Sequence, residues 1–458
     1  MKRPTAGAKW RAPGAALCCA ALLSGCGLLT AGEPDGGAAP APSGTRPAAG
    51  KPAEPGQPVH LKDLNGDGYD DFAGPLTSRE HGTSLVVVYG SKAGLHPGWH
   101  TTLPGGGPDS GYGSPLRADL DGDGFPDLVA LRQRGKKAET VALHGGRRGV
   151  SQPRRLSVPD AFRPTAAGDF DGDGHADLTG GRTIQFGPFK DGRPARTGRV
   201  SGDHGAAQGG VTGDFDGDGH TDALFTYPYD ADDYEQNDDP PDGPPQTAYF
   251  RGGPQGLTRD SAEAIGSAMG GYEGPGGATA GDVDGDGIDD LVVSPGPGDL
   301  EPGKLTLFYG SKSGPGGGRS PEVLQGRGST WGSGTEIGDV NGDRKADLLT
   351  GRPGFHLIDP DKLILLPASA KGGFDVAAGQ TVSGDDKELP DGVEAFTFGA
   401  QALLDADGDG RQDVVAFTQR HDKKDGRFLV FPGGPDGLDV GRVRHFGSEE
   451  LGVRLGRP

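Results

Sequence analysis

Sulfur is nearly absent from this chain. Of 458 residues only three are cysteine, Cys18, Cys19 and Cys26, and two are methionine. All three cysteines lie at the extreme N-terminus, so the rest of the chain can build neither a disulfide framework nor a thiolate metal site. Aromatics make up 7% and apolar residues as a whole 32%. Positive charge is scarce as well: 45 Lys and Arg face 65 Asp and Glu, a net charge of −20. Four of the cations, Lys2, Arg3, Lys9 and Arg11, sit in the first eleven residues, so the remainder carries −24 (−20 less 4). Such a surface repels phosphates, and nucleic-acid binding is disfavoured. What the chain has instead is turn-forming residues, 88 Gly and 39 Pro. Many short strands joined by tight turns are expected, in several domains or a repeat array, since one core of this size would be unusual.

The basic N-terminus precedes the apolar run "AALCCAALL", Ala15 to Leu23. That run is too short to span a bilayer and has the form of a signal-peptide core. "LSGC", Leu23 to Cys26, follows it and resembles the lipobox of bacterial lipoproteins. The resemblance implies a signal peptide at 1–25, lipidation of Cys26, and a location on the extracellular face of the bacterial cell membrane. Residues 26–57 are mostly Ala, Gly and Pro, which read as a flexible tether, and the folded body is expected at 58–458.

One phrase recurs seven times: "DLNGDGYDD", "DLDGDGFPD", "DFDGDGHAD", "DFDGDGHTD", "DVDGDGIDD", "DVNGDRKAD" and "DADGDGRQD". The starts are 56, 50, 45, 68, 57 and 66 residues apart, so fold reasoning begins from a repeat. Position 1 is Asp63, Asp119, Asp169, Asp214, Asp282, Asp339 and Asp405. Position 3 is Asn65, Asp121, Asp171, Asp216, Asp284, Asn341 and Asp407. Position 5 is Asp67, Asp123, Asp173, Asp218, Asp286, Asp343 and Asp409, and position 9 is Asp71, Asp127, Asp177, Asp222, Asp290, Asp347 and Asp413.

That many carboxylates in short loops repel one another unless a cation joins them. Alternating acidic positions let a loop curl its oxygens toward one point, as the six to eight hard ligands of calcium require. Position 7, occupied by Tyr69, Phe125, His175, His220, Ile288, Lys345 and Arg411, would contribute its backbone carbonyl. Zinc is a poor fit for want of a His/Cys set, and magnesium is disfavoured by its stricter octahedron. Up to seven calcium ions are expected; they would add +14 and bring the mature charge from about −24 to about −10. Glycine at position 6 permits the bend that closes the loop, so Arg344 should strain the sixth copy and weaken it. These are not EF-hands: position 12 of the first copy is Gly74 where the closing glutamate would stand.

Each motif leads into a short apolar stretch and then a second, such as "SLVVVYG", "TVALHG", "KLTLFYG" or "RFLVFPGG"; small residues such as "PTAAG" precede it. The unit is therefore strand, loop, strand, turn, strand, with a fourth strand expected before the next unit. Seven such sheets fit an all-β, seven-bladed β-propeller, with a solenoid as the alternative. Phe398–Gly399, Tyr112–Gly113 and Trp331–Gly332 then complete a likeness: the chain resembles the FG-GAP (VCBS-type) repeat proteins, whose seven-bladed propeller also heads integrin α-subunits. Copies three, four and five depart from that pattern in lacking the aromatic-Gly pair.

No G-x-S-x-G, H-E-x-x-H or Walker signature occurs, and the eleven histidines are scattered. A monomeric adhesion or recognition module for a protein or glycan is the expected function. The alternative is a polysaccharide-active or other hydrolytic or lytic enzyme on a propeller scaffold, using an acid pair outside the loops. The acidic, tyrosine-rich insertion at 227–250 reads as a solvated, partly disordered loop or, alternatively, as a recognition loop of the kind that rigid scaffolds often carry.

Overall fold

The computed structural model describes residues 50–54, 57–202, 207, 209–227, 247–260, 275–295, 304–325, 333–352, 362–384, 386–387, 389, 399–418 and 426–455, within one compact unit, Ala39–Pro458. The signal and lipidation expectations, residues 228–246 of the 227–250 insertion, Phe398 and Trp331–Gly332 lie outside these residues. Among the described residues no helix is long and apolar enough to cross a membrane. Regular structure there is strand throughout, apart from two short 3-10 turns.

Five four-stranded antiparallel sheets each carry one acidic loop, between the first strand and the second. In the third repeat the strands are Pro164–Gly168, Asp177–Gly180, Thr183–Phe186 and Arg196–Arg199, in that spatial order. The first two loops share an eight-stranded sheet. Its two halves meet through the short strand Ser110–Tyr112, parallel to Gly82–Val88 at Thr83↔Gly111 and antiparallel to Asp127–Arg134. Tyr112 of the aromatic-Gly pair is buried there, and Gly113 donates its N–H to Leu131 at 2.9 Å.

The small residues ahead of each loop have a packing reason. A Cβ on Gly168 would lie 2.5 Å from Thr221 Cγ2, and one on Gly213 would lie 2.9 Å from Asp289 Oδ2, both at position 8 of the next repeat's loop. The last residue of the first strand is therefore bare of a side chain in these repeats because the next repeat's loop crosses it.

Because side chains alternate across a strand, each sheet offers an apolar set on both faces. Gly82–Val88 sends Leu85 and Val87 into one cluster with Leu128 and Val141, and Val86 and Val88 into another with Val415 and Phe428. The buried apolar residues form seven clusters in all among the described residues, six between successive repeats and the seventh between the last repeat and the first.

Hydrogen bonds at these junctions repeat too. The carbonyl at loop position 2 accepts an N–H from just beyond the third strand of the next repeat: Gly146 to Leu64, Phe189 to Leu120, Gly253 to Phe170 and Ser311 to Phe215, at 2.7–3.1 Å. Ser91 makes the same bond to Ala406, from the first repeat to the last, at 3.0 Å. Position 8 donates its N–H to the preceding position 1 in Thr221 to Asp169, Asp289 to Asp214 and Gln412 to Asp339; Asp70 to Asp405 again links first to last. The end of the expected tether is held as well, since Lys51 and Ala53 donate N–H groups to Gly66 and Gly124 of the first two loops.

Candidate metal centres

The loops fold on their own carboxylates. In all seven, the N–H of position 6 reaches one oxygen of the position 1 aspartate at 2.7–3.0 Å. Its other oxygen accepts from position 5, as in Asp67 to Asp63 at 3.2 Å and Asp218 to Asp214 at 3.0 Å. Position 5 in turn accepts the N–H of position 7, for example Phe125 to Asp123 at 2.9 Å. To close this turn, positions 4 and 6 both take positive φ: Gly66 is at 72° and Gly68 at 89°. Arg344 is held at φ 66°, the left-handed strain expected of the sixth copy, while keeping its N–H bond to Asp339.

Position 9 has a further structural role that the sequence pattern did not disclose. One oxygen accepts the N–H of position 2, as in Leu64 to Asp71 at 2.9 Å. The other accepts an N–H from beyond the third strand in every repeat, from Gly90, Gly145, Gly187, Gly252, Gly310, Ala368 and Gly433. A short acidic side chain thus ties each loop to its own sheet, which explains its near-total burial. Position 7 side chains also do more than expected. Those of Phe125, His175, His220, Ile288, Arg411 and Tyr69 pack over the position 4 glycine of the preceding loop, so a Cβ on that glycine would meet them.

Loops two to five each bring three carboxylates to one place. Oxygens of Asp119, Asp121 and Asp123, of Asp169, Asp171 and Asp177, of Asp214, Asp216 and Asp218, and of Asp282, Asp284 and Asp290 lie within 4.8 Å of one another. Asp67 Oδ2 and Asp171 Oδ1 are buried with no hydrogen-bond donor, and such an oxygen calls for a cation. Burial pushes Asp177 and Asp413 up to about 7, and Asp67, Asp222 and Asp290 up to about 6. An all-oxygen donor set whose charged form is penalised without a counter-ion fits a hard divalent cation.

Four loops already hold part of that counter-charge. Position 3 is paired with His144 in loop two, Arg196 in loop three, Arg251 in loop four and Arg319 in loop five. The His144 Nδ1 sits 3.2 Å from Asp121 and 3.3 Å from Asp127 without an aligned hydrogen bond; these two carboxylates raise the ring to about 10. Arg196 and Arg319 reach their aspartates from over the rings of Phe186 and Tyr309, centroid distances 3.3 and 3.7 Å. Arg251 stands at the strand end itself, where those two rings stand in repeats three and five. Loops one and six have Asn65 and Asn341 at position 3 and need no such partner. In loops one, three, five and six this leaves three aspartates without a cationic side chain among the described residues, at positions 1, 5 and 9, whereas His144 also touches position 9, Asp127, in loop two and His220 touches position 5, Asp218, in loop four. Loop seven differs, for Arg411 pairs with position 5, Asp409, at 3.0 Å.

A family model described as FG-GAP-like repeat matches residues 119–179 and 282–350, each span running from one loop through the next. Integrin alpha-IIb of Mus musculus is 33% identical over 110 residues, 23% of this chain and 10% of that protein. Among solved structures, the rhamnogalacturonan lyase YesW is similar over 85% of this chain and 60% of its own, with 12% identity and a TM-score of 0.29. The chain thus spans a tenth of the curated relative and three fifths of the solved one. Two spans of the chain match the FG-GAP-like repeat, and a stretch of it is similar to integrin alpha-IIb.

Proposed function

We propose that the seven repeats close into a seven-bladed β-propeller, stabilised by calcium in its acidic loops, that acts as a binding or adhesion module for a protein or glycan. The observation that carries the closure is the junction between the last repeat and the first. It uses the same position 2 and position 8 hydrogen bonds and the same kind of apolar cluster as the junctions between successive repeats. A solenoid would leave both terminal faces bare instead.

Calcium is supported by the buried oxygens of Asp67 and Asp171 that lack donors and by the three-carboxylate groupings of loops two to five. Positions 1, 3, 5 and 9, with the carbonyl of position 7, would hold the ion, and position 9 braces the loop besides. When bound, the ion supplies charge neutralisation rather than reaction chemistry. The side chains of this chain then orient the carboxylates and lock neighbouring blades together. With extracellular modules binding at about 0.1–1 mM, mass action gives at most about 1–1.5 kcal/mol per independent site in millimolar calcium, up to about 10 kcal/mol for seven.

Lipid anchoring at Cys26 on the outside of a bacterial cell, a monomeric state and the absence of catalysis and of nucleic-acid binding belong to the same reading, and rest on the sequence. A glycan array and a protein pull-down with the full chain test it, with turnover of a polysaccharide panel as the counter-assay. Capture of a ligand without turnover is the expected result; turnover would replace the reading with an enzymatic one.

A further inference from the structure

The surface charge is divided unequally along the chain. Between Arg147 and Arg199 there are ten Lys and Arg against six Asp, a net of +4 where the whole chain carries −20. Four of those six aspartates, Asp169, Asp171, Asp173 and Asp177, belong to the third acidic loop. The cations surface on two outermost strands, Arg154–Arg155 at one edge of the eight-stranded sheet and Arg196–Arg199 at the edge of the next. The other outermost strands described, such as Glu322–Gln325 and Gln380–Ser383, carry at most one Lys or Arg.

A groove of about 690 Å³ lies between these edges, lined chiefly by Ser157, Pro188, Lys190, Asp191, Arg193 and Ala195. Its wall is a tight hairpin in which Lys190 and Arg193 exchange backbone N–H···O bonds at 2.9 and 3.0 Å. Asp191 and Gly192 form the tip, at φ 52° and 73°. Ser157 donates its N–H to Gly192 at 2.8 Å, which fixes the hairpin to the neighbouring sheet. Lys190 and Arg193 are exposed, and neither side chain has an ion-pair partner among the described residues.

We propose that this groove binds an acidic polysaccharide, with its carboxylates or sulfates on Lys190 and Arg193 and its chain continuing over Arg154 and Arg199. This deepens the binding-module reading and rests on it. A guanidinium presents paired donors that match a carboxylate or sulfate, and the pinned hairpin removes the backbone's share of the ordering cost, leaving that of the two side chains. Neutral sugars and single-stranded nucleic acid are commonly gripped by stacking on aromatic faces. The large hydrophobics exposed among the described residues are Leu61, Val323 and Val376, none of them aromatic. Duplex DNA packs one charge per 1.7 Å or so and is repelled by the acidic remainder of the surface, whereas a glycan with about one charge per sugar engages a local patch at lower cost.

The test is fluorescence anisotropy of labelled chondroitin sulfate with the full chain in detergent, in low salt and millimolar calcium, beside uncharged dextran and single-stranded DNA of equal charge. K190S/R193S should weaken chondroitin sulfate binding by at least about tenfold through loss of two charge-assisted contacts. The variant K371S/K387S removes the same charge at exposed residues elsewhere and should stay within about twofold. Melting curves matching the parent protein show that both variants fold. No binding of the sulfated glycan, an equal loss in both variants, or equal affinity for the DNA would each overturn the proposal. Capture of another glycan or a protein that is indifferent to K190S/R193S would remove this groove and leave the binding-module reading standing.

Discussion

Removing Arg251 should expose how much of the counter-charge in loop four comes from the chain itself. Its guanidinium pairs through Nη1 with Asp216 and through Nε and Nη2 with Asp260, at 3.1 and 3.0 Å. The Asp216 side chain is 2% exposed and that of Arg251 31%. Losing one partner of a fully buried pair costs about 3–5 kcal/mol; the partial exposure of Arg251 reduces this to about 1–3 kcal/mol. In a body of about 400 residues that is a fall in Tm of about 1–4 °C. R251Q should therefore melt a few degrees lower in EGTA, and by less than half as much in millimolar calcium, where an ion replaces the missing charge. The double variant D216N/R251Q recreates the arrangement of loops one and six and should recover most of the loss. Differential scanning calorimetry of the three proteins decides it. The reasoning fails if R251Q melts like the parent in EGTA, or if the double variant is no better than R251Q.

Acidity supplies a second prediction. Asp177 and Asp413 at about 7, and Asp67, Asp222 and Asp290 at about 6, bind protons more tightly in the folded chain than in the unfolded one. The metal-free protein should therefore gain stability as pH falls from 8 to about 5, whereas the calcium-loaded protein should lose it as protons displace the ion; parallel slopes in paired melts would contradict this. Arg344→Gly relieves a left-handed residue at φ 66° and should stabilise the sixth repeat by about 1 kcal/mol in chemical denaturation, with no gain counting against the strain. D70A removes the acceptor, 2.9 Å away, for the Asp405 N–H at the junction of first and last repeats. It should cost about 1–3 kcal/mol by the same measurement, and a neutral effect would speak against a closed ring.

The loops were legible because their chemistry is local. Aspartates at 1, 3, 5 and 9 and a glycine at 6 fall within nine residues, and the turn they specify is the turn that forms, down to the strain at Arg344. Strands flanking each loop were readable from their apolar runs, as Gly82–Val88 and Arg427–Phe431 illustrate. The partners of position 3 were not legible. His144, Arg196, Arg251 and Arg319 come from 23 to 35 residues downstream and meet their aspartates only after the third strand has returned across the sheet. A faint signal existed in Asn65 and Asn341, the two repeats where a carboxylate is missing and a cation is unnecessary. The glycine at position 4 was likewise legible as a turn residue but not as the seat of a neighbour's side chain, because that contact joins repeats roughly fifty residues apart.

Calcium content is the most direct measure of whether bound metal holds these acidic turns together. The full chain, in detergent at dialysis equilibrium with millimolar calcium, should hold at least five and up to seven calcium ions per molecule in excess of the free ion, by elemental analysis of the protein solution against its dialysate. Its Tm should drop by about ten degrees in EGTA, the loss of up to about 10 kcal/mol of linked binding. A protein that binds no calcium and melts unchanged in EGTA would contradict the account.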